Sequence, residues 1–225
     1  MKKLFFTNLL FFLSTLVLPV SLFANGFQIN EQGAKALGMG GAFVAQADDP
    51  SAVYFNPAGI TQLEGAQISI GASPITPTAT LKSDQTGKST DAKKQTFYIP
   101  NFYATVKTSD KISVGFGAFA NYGLATEWPK DWEGRYITGG TKAEIVTLTL
   151  NPNIAFKFTD KLSLAFGVDI QKMDIDLENK IHPAIVSYLT GGMSTAEGSS
   201  KLKADDWSYG WNIALHYKIT ENWNA

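Results

Sequence analysis

Six stretches of this 225-residue chain alternate apolar and polar side chains with a period of two. Successive residues of a strand point to opposite faces, so a chain patterned this way folds as β-sheet with one apolar and one polar face. The stretches are 67–73, 97–107, 111–121, 144–158, 161–171 and 206–219. In the third, Ile112, Val114, Phe116, Ala118 and Ala120 alternate with Ser113, Gly115, Gly117 and Asn121. In the sixth, Trp207, Tyr209, Trp211, Ile213, Leu215, Tyr217 and Ile219 alternate with Ser208, Gly210, Asn212, His216 and Lys218. Each run is near the ~9–11 residues that cross a bilayer as a tilted strand. A soluble sandwich shows the same alternation with its apolar face inward.

Two further features favour the membrane. Tight turns at 108–110, 159–160 and 220–222 alternate with long polar connections at 77–95, 122–142 and 177–205. Short turns on one side and long loops on the other are the rule of outer-membrane barrels. The aromatics Trp128, Trp132, Trp207, Tyr209 and Trp211 gather toward strand ends, where amphipathic rings suit the membrane interface. The expected fold is an all-β antiparallel transmembrane barrel. Pro152 predicts a bulge or an edge in the fourth stretch. The change of parity after Ile170, to Met173, Ile175 and Leu177, predicts a bulge or a strand leaving the bilayer. Residues 183–189 suit one or two helical turns.

The chain begins as a secretory signal does, with Lys2 and Lys3, an apolar run from Leu4 to Val20, and Ala24 at the cleavage position. Residues 1–24 are therefore expected to be a signal peptide. Removing Lys2 and Lys3 leaves 17 basic and 20 acidic residues, a net charge of -3. No basic field suggests nucleic acid. The absence of cysteine excludes disulfides and thiolate metal sites. His182 and His216 lack ligand spacing, so neither a metal nor a cofactor is expected.

Residues 25–65 do not alternate. Asp49 and Pro50 mark a helix start, predicting a helix over 51–55 that Asn56-Pro57 would end. Irregular backbone has no place in lipid, so this segment is expected inside the barrel as a hatch. The barrel wall then occupies 66–225.

Asn25-Gly26-Phe27-Gln28-Ile29-Asn30-Glu31-Gln32, Asn56-Pro57-Ala58, Asn121-Tyr122-Gly123-Leu124-Ala125-Thr126-Glu127 and Trp207-Ser208-Tyr209-Gly210-Trp211-Asn212 resemble, in order and spacing, motifs of the FadL/TodX family of outer-membrane transporters. The resemblance implies a barrel of about fourteen strands, of which this chain would supply about six, closed by an N-terminal hatch. With so few strands, and a stop at Trp223-Asn224-Ala225 just after a turn, a piece of a longer protein is expected. The resemblance implies a monomeric channel in the outer membrane of a Gram-negative cell, among its lipid and lipopolysaccharide, taking up fatty acids or similar hydrophobic molecules. Phe27, Asn56, Pro57 and Ala58 would bind ligand or gate. An inward kink of the third strand, at Ala118, Phe119, Ala120, Asn121, Tyr122 and Gly123, would be a lateral exit. Gly115, Gly117 and Gly123 serve such a kink or simply a tight interior, and both readings fit.

The family's basic residue at the end of the fifth strand falls at Asn179, with Lys180 beside it as a possible headgroup contact. That departure leaves aromatic hydrocarbons as an alternative ligand. The rival classes are a lipid-modifying enzyme and an adhesive barrel. His216, on the polar face without an evident serine partner, argues against an esterase triad, so no catalytic residues are assigned.

Overall fold

A computed structural model describes residues 28–220 and the backbone of residues 223–224. The expected signal peptide and Phe27 lie outside the described residues. The alternating stretches form β1 (Ala66–Ile75), β4 (Phe97–Lys107), β5 (Ile112–Phe119), β7 (Lys142–Lys157), β8 (Leu162–Ile181) and β9 (Gly198–Thr220). A small hairpin, β2 (Thr80–Lys82) and β3 (Ser89–Asp91), lies in the first long connection. Strand β6 (Gly123–Glu127) continues the line of β5, and β10 (Trp223–Asn224) turns back on β9.

The main sheet is antiparallel throughout, in the order β1-β4-β5-β7-β8-β9-β10, with β6 also on β7. The six alternating stretches are thus neighbours in sequence order. Among the described residues the sheet is open, with β1 at one edge. No described helix is long and apolar enough to cross a membrane, which leaves crossing by strands untouched.

Register fixes the faces. One face carries Ile68, Ile70, Phe116, Phe166, Trp211 and Ile213, all widely exposed. The other carries Tyr103, Thr105, Ser113, Thr149, Asn151, Asn153 and His216, all buried. What buries them is the N-terminal segment. After a short helix α1 (Ala34–Gly38), its short helix α2 (Ala52–Phe55) and a 3-10 turn at Pro57–Gln62 lie on that polar face. Ala47, Ala52, Val53, Ala58, Ile60 and Leu63 pack there with Tyr103, Phe119, Ala155 and Ala165. An apolar face turned outward and a polar face turned toward a plug invert the soluble arrangement and match a membrane wall.

Several local expectations need correction. Helix α2 starts one residue later than predicted, at Ala52, and Pro50 precedes it. Asp49 still serves the start, since its Oδ1 accepts from Ser51 N at 2.8 Å. Pro152 makes neither an edge nor a bulge. Leu150 pairs with Ile170 and Asn153 with Gly167, three steps on each strand, so only the ladder is interrupted. The side chain of Asn151 donates to Val168 O, the carbonyl opposite the missing proline N–H, at 3.3 Å.

The parity change in β8 is not a bulge either, because its register with β9 runs unbroken from Leu162↔Tyr217 to Ile181↔Gly198. The connection expected over 177–205 is mostly strand, closed by helix α3 (Pro183–Thr190). Strands of 20 and 23 residues exceed what a bilayer needs and continue beyond it. Above Ile170 their outward face turns charged, with ion pairs Lys142–Asp176 at 3.2 Å and Lys201–Asp176 at 3.5 Å. Trp132 is not an interface residue. It is buried, stacks on Trp128 at 4.6 Å between centroids, and forms the core of its loop.

Candidate functional site

The third crossing strand breaks where the sequence reads Ala120-Asn121-Tyr122. Strand β5 pairs with β4 only as far as Phe102↔Ala118, and with β7 as far as Phe119↔Thr149. The line resumes in β6 with Gly123↔Val146. Four steps on one strand thus match three on its neighbour, and the extra residue bows the chain out of the ladder. Beyond Ala118 the upper half of β4 pairs, among the described residues, with β1 alone.

The freed backbone is satisfied from inside. Ile29 N donates to Asn121 O at 2.9 Å, the Gln32 amide donates to Ala120 O, and Gln28 bridges Tyr122. Tyr122 N donates to Thr147 Oγ1 at 3.0 Å, and the same hydroxyl returns a bond to Tyr122 O. Buried peptide groups without partners are costly in lipid, so these bonds are what permit a break at membrane depth. Next to the break, Leu124 has φ +147°, a backbone region that L-residues seldom adopt.

A cavity of about 320 Å³ opens at the break. Tyr98 and Pro100 line it from the outward face of β4, Ala120 and Gly123 from the broken strand, and Ile29 and Phe119 from within. Residues of both faces meet in it, so it opens within the wall at the break, with Ile29 closing its inner end. Its lining is almost wholly apolar. Ile29 is fully buried at its inner end, and a β-carbon added to Gly123 would lie 3.1 Å from Ile29 Cδ1. Gly115 and Gly117 have a different reason. A β-carbon at either would come within 2.8 Å of Val53, so they let helix α2 lie flat on the strand.

The structure therefore gathers the expected exit residues around one opening, with Ala118 at the last rung of β4–β5 and Ala120, Tyr122 and Gly123 in the lining. Asn121 turns inward instead, donating to Thr149 Oγ1 at 3.1 Å and Gln171 Oε1 at 3.2 Å. Asn56 sits deep between the N-terminal segment and the wall. Its Nδ2 donates to Val44 O and to Leu215 O of β9, both at 3.0 Å, and its Oδ1 accepts from Ala58 N. Pro57 starts the 3-10 turn, and Ala58 is buried beneath it.

Lys180 is not brought to this place. It lies on the outward face of β8 and donates to Ser199 Oγ at 3.2 Å. His216 does have a serine opposite it, Ser163, which the sequence did not make evident. The two are otherwise engaged: Ser163 Oγ lies 2.7 Å from Thr61 Oγ1, and His216 Nε2 donates to Ala45 O at 2.9 Å. Ile29, Gln32, Thr147 and Tyr98 escaped the sequence reading. Only the position of Ile29 and Gln32 within the N-terminal motif could have pointed to them.

Above the opening the inner face of the extended strands carries a run of apolar side chains. Ile145 pairs with both Leu124 and Ile175, and Ala143 with Leu177, whose other partner is Leu202. Ile145 and Leu124 also line the opening, which makes one apolar strip from the mouth to the gap. The loops around the mouth are tied together. Glu133 accepts from Thr86 at 2.6 Å, and Arg135 pairs with Glu197 at 2.8 Å. Hydrogen bonds from Tyr136 and then Arg135 hold the Glu197 carboxyl below its usual range.

A wall of long antiparallel strands, apolar outside and plugged from within, defines an outer-membrane β-barrel protein of the transporting kind. The chain matches the family described as outer membrane protein transport protein (OMPP1/FadL/TodX) over residues 15–225, and it belongs to that family. It is 29% identical over 98% of its length to the long-chain fatty acid transport protein of Escherichia coli O6:H1, covering 53% of that protein. It is 30% identical over 96% of its length to the 47 kDa outer membrane protein of Pasteurella multocida, covering 51% of that protein. The chain spans about half the length of the curated relatives it matches.

Among solved structures, a Pseudomonas aeruginosa FadL homologue superposes with a TM-score of 0.71 at 20% identity, over 87% of this chain and 50% of that one. The P. putida toluene transporter TodX gives 0.61 at 20% identity, over 77% and 49%. These likenesses establish the β-barrel fold. The homologues are outer-membrane proteins, and the family is one of transport proteins.

Proposed function

We propose that this chain forms the wall, hatch and lateral exit of an outer-membrane channel for hydrophobic molecules. The observation that carries this reading is the apolar cavity opening in the wall at the strand break near Ala120 and Gly123. A hydrophobic solute gains about 0.8 kcal/mol per methylene on leaving water, so entering the bilayer core is downhill and the polar surface layer is the obstacle. A path that stays apolar from the mouth to the side of the barrel removes that obstacle. The strip through Leu177, Ile175, Ile145 and Leu124 supplies the descent, and the gap supplies release into lipid.

In this reading residues 25–65 are the hatch. Asn56, Pro57 and Ala58 fix its floor against β9, and Phe27 is the apolar tip of a segment that ligand displaces. The channel works as a monomer in contact with outer-membrane lipid and lipopolysaccharide. Relatives are named for long-chain fatty acid and for toluene, and both classes suit an apolar gap. Lys180 lies on the outward face and donates to Ser199, which supports the uncharged class over the carboxylates. Nothing in the reading calls for catalysis.

The test is Ala120→Arg, a large charged side chain in the lining. Uptake of labelled hydrophobe by cells expressing the variant should fall at least about tenfold, with binding at the outer surface and heat-modifiability on gels unchanged. Wild-type uptake by the folded variant would favour release straight to the periplasm past the hatch.

A further inference from the structure

A second cavity, of about 340 Å³, lies between helix α2 and the inner wall, and its two sides differ in chemistry. Tyr54, Phe55 and Phe119 give one side, with Tyr54 edge-on to both other rings at 4.8 and 5.0 Å. Asn151, Asp169 and Asn212 give the other.

The hydrogen-bond ledger of that polar side is one-sided. Asn151 Nδ2 donates to Asp169 Oδ1 at 2.8 Å and to Val168 O at 3.3 Å. Asn212 Nδ2 donates to Asp169 Oδ2 at 3.2 Å. Asn121, also in the lining, spends its amide on Thr149 and Gln171. Amide hydrogens are thus largely committed within the wall. Acceptors remain: Asn212 Oδ1 is buried without a partner, and the carboxylate oxygens of Asp169 retain unused lone pairs. Among the described residues the lining holds no lysine or arginine.

We infer that this cavity binds hydrophobic molecules bearing a hydroxyl donor, such as alkylphenols, and that Asp169 selects against carboxylates. The inference rests on the channel reading and names its substrate class. A ligand hydroxyl donates to the carboxylate of Asp169 while its ring meets the aromatic side. A ligand carboxylate presents oxygen to oxygen and charge to like charge. Placed polar groups that reject the wrong ligand discriminate far better than apolar fit alone.

The measurement is equilibrium binding of 4-octylphenol and 4-octylbenzoate to the purified protein at neutral pH. The phenol should bind at least about tenfold tighter, a difference of about 1.4 kcal/mol. Asp169→Asn should bring the ratio below about threefold, mainly by strengthening benzoate binding, and Asn212→Asp should widen it. Heat-modifiability serves as the folding control for both variants. Equal affinities in the wild type, binding of neither compound, or an unchanged ratio in folded Asp169→Asn overturns the assignment. The channel reading is tested apart from this, by Ala120→Arg uptake. If that variant blocks passage while the ratio is flat, Asp169 has no selective role and the exit stands.

Discussion

Pro152 shows at the scale of one residue what a sequence reveals and what it hides. Its missing N–H was legible, and a bulge or an edge was the expectation. The replacement donor was not, because it is the preceding side chain: Asn151 reaches Val168 O and keeps the register straight. Gln32 is hidden in the same way. A buried amide that clamps Ala120 O and Ile29 O leaves no periodic trace. Asn151→Ala should lower barrel stability by about 1–2 kcal/mol, since Val168 O loses its donor and Asp169 loses a partner. Adding Pro152→Val should restore most of the loss, because a valine N–H can take the same carbonyl. Urea unfolding of the protein in lipid vesicles reads both steps. A double variant no more stable than Asn151→Ala would remove the compensation argument.

At the scale of elements, the strands were legible because each has one face in lipid and one against polar groups, which forces a strict alternation. The order of the sheet followed from turn lengths. The glycines were only half legible. Sequence allowed either a kink or a tight interior, and contact with Val53 decides for the interior at Gly115 and Gly117. Gly115→Ala would bring a β-carbon to 2.4 Å from Asn153 Oδ1 and 2.8 Å from Val53 Cγ2. The outward face of β5 is unaffected, so the wall should still fold. Helix α2 should lift, exposing residues 28–65 to protease several-fold faster and raising basal leakage of small hydrophobic dyes. Wild-type protection of that segment would show that the helix tolerates the extra carbon and does not depend on the flat strand.

At the scale of the whole molecule, β8 obeys two rules along one unbroken strand. Up to Ile170 its outward residues are apolar, Leu162, Leu164, Phe166 and Val168, and its inward ones small or polar. Beyond it, Lys172, Asp174, Asp176 and Glu178 face outward, and Met173, Ile175 and Leu177 face inward. The parity change was visible in the sequence, but its meaning was not, since a bulge gives the same signal. Constant register with β7 and β9 shows that the environment changes while the strand does not. The strand leaves lipid for water, and its inner face takes up the apolar character that the proposed ligand path needs. Charge placed on that inner face should therefore act on transport and spare folding. Ile175→Glu lies outside the bilayer, so stability should change by less than about 1 kcal/mol. Uptake should fall at least about fivefold, because a carboxylate beside Ile145 and Ala204 breaks the apolar descent. Val168→Glu, on the lipid face of the same strand, should do the reverse and cost stability first. Parallel uptake and unfolding measurements on the two variants decide the matter. Equal losses of stability would place both residues in one environment and end the account of a strand that crosses the membrane boundary.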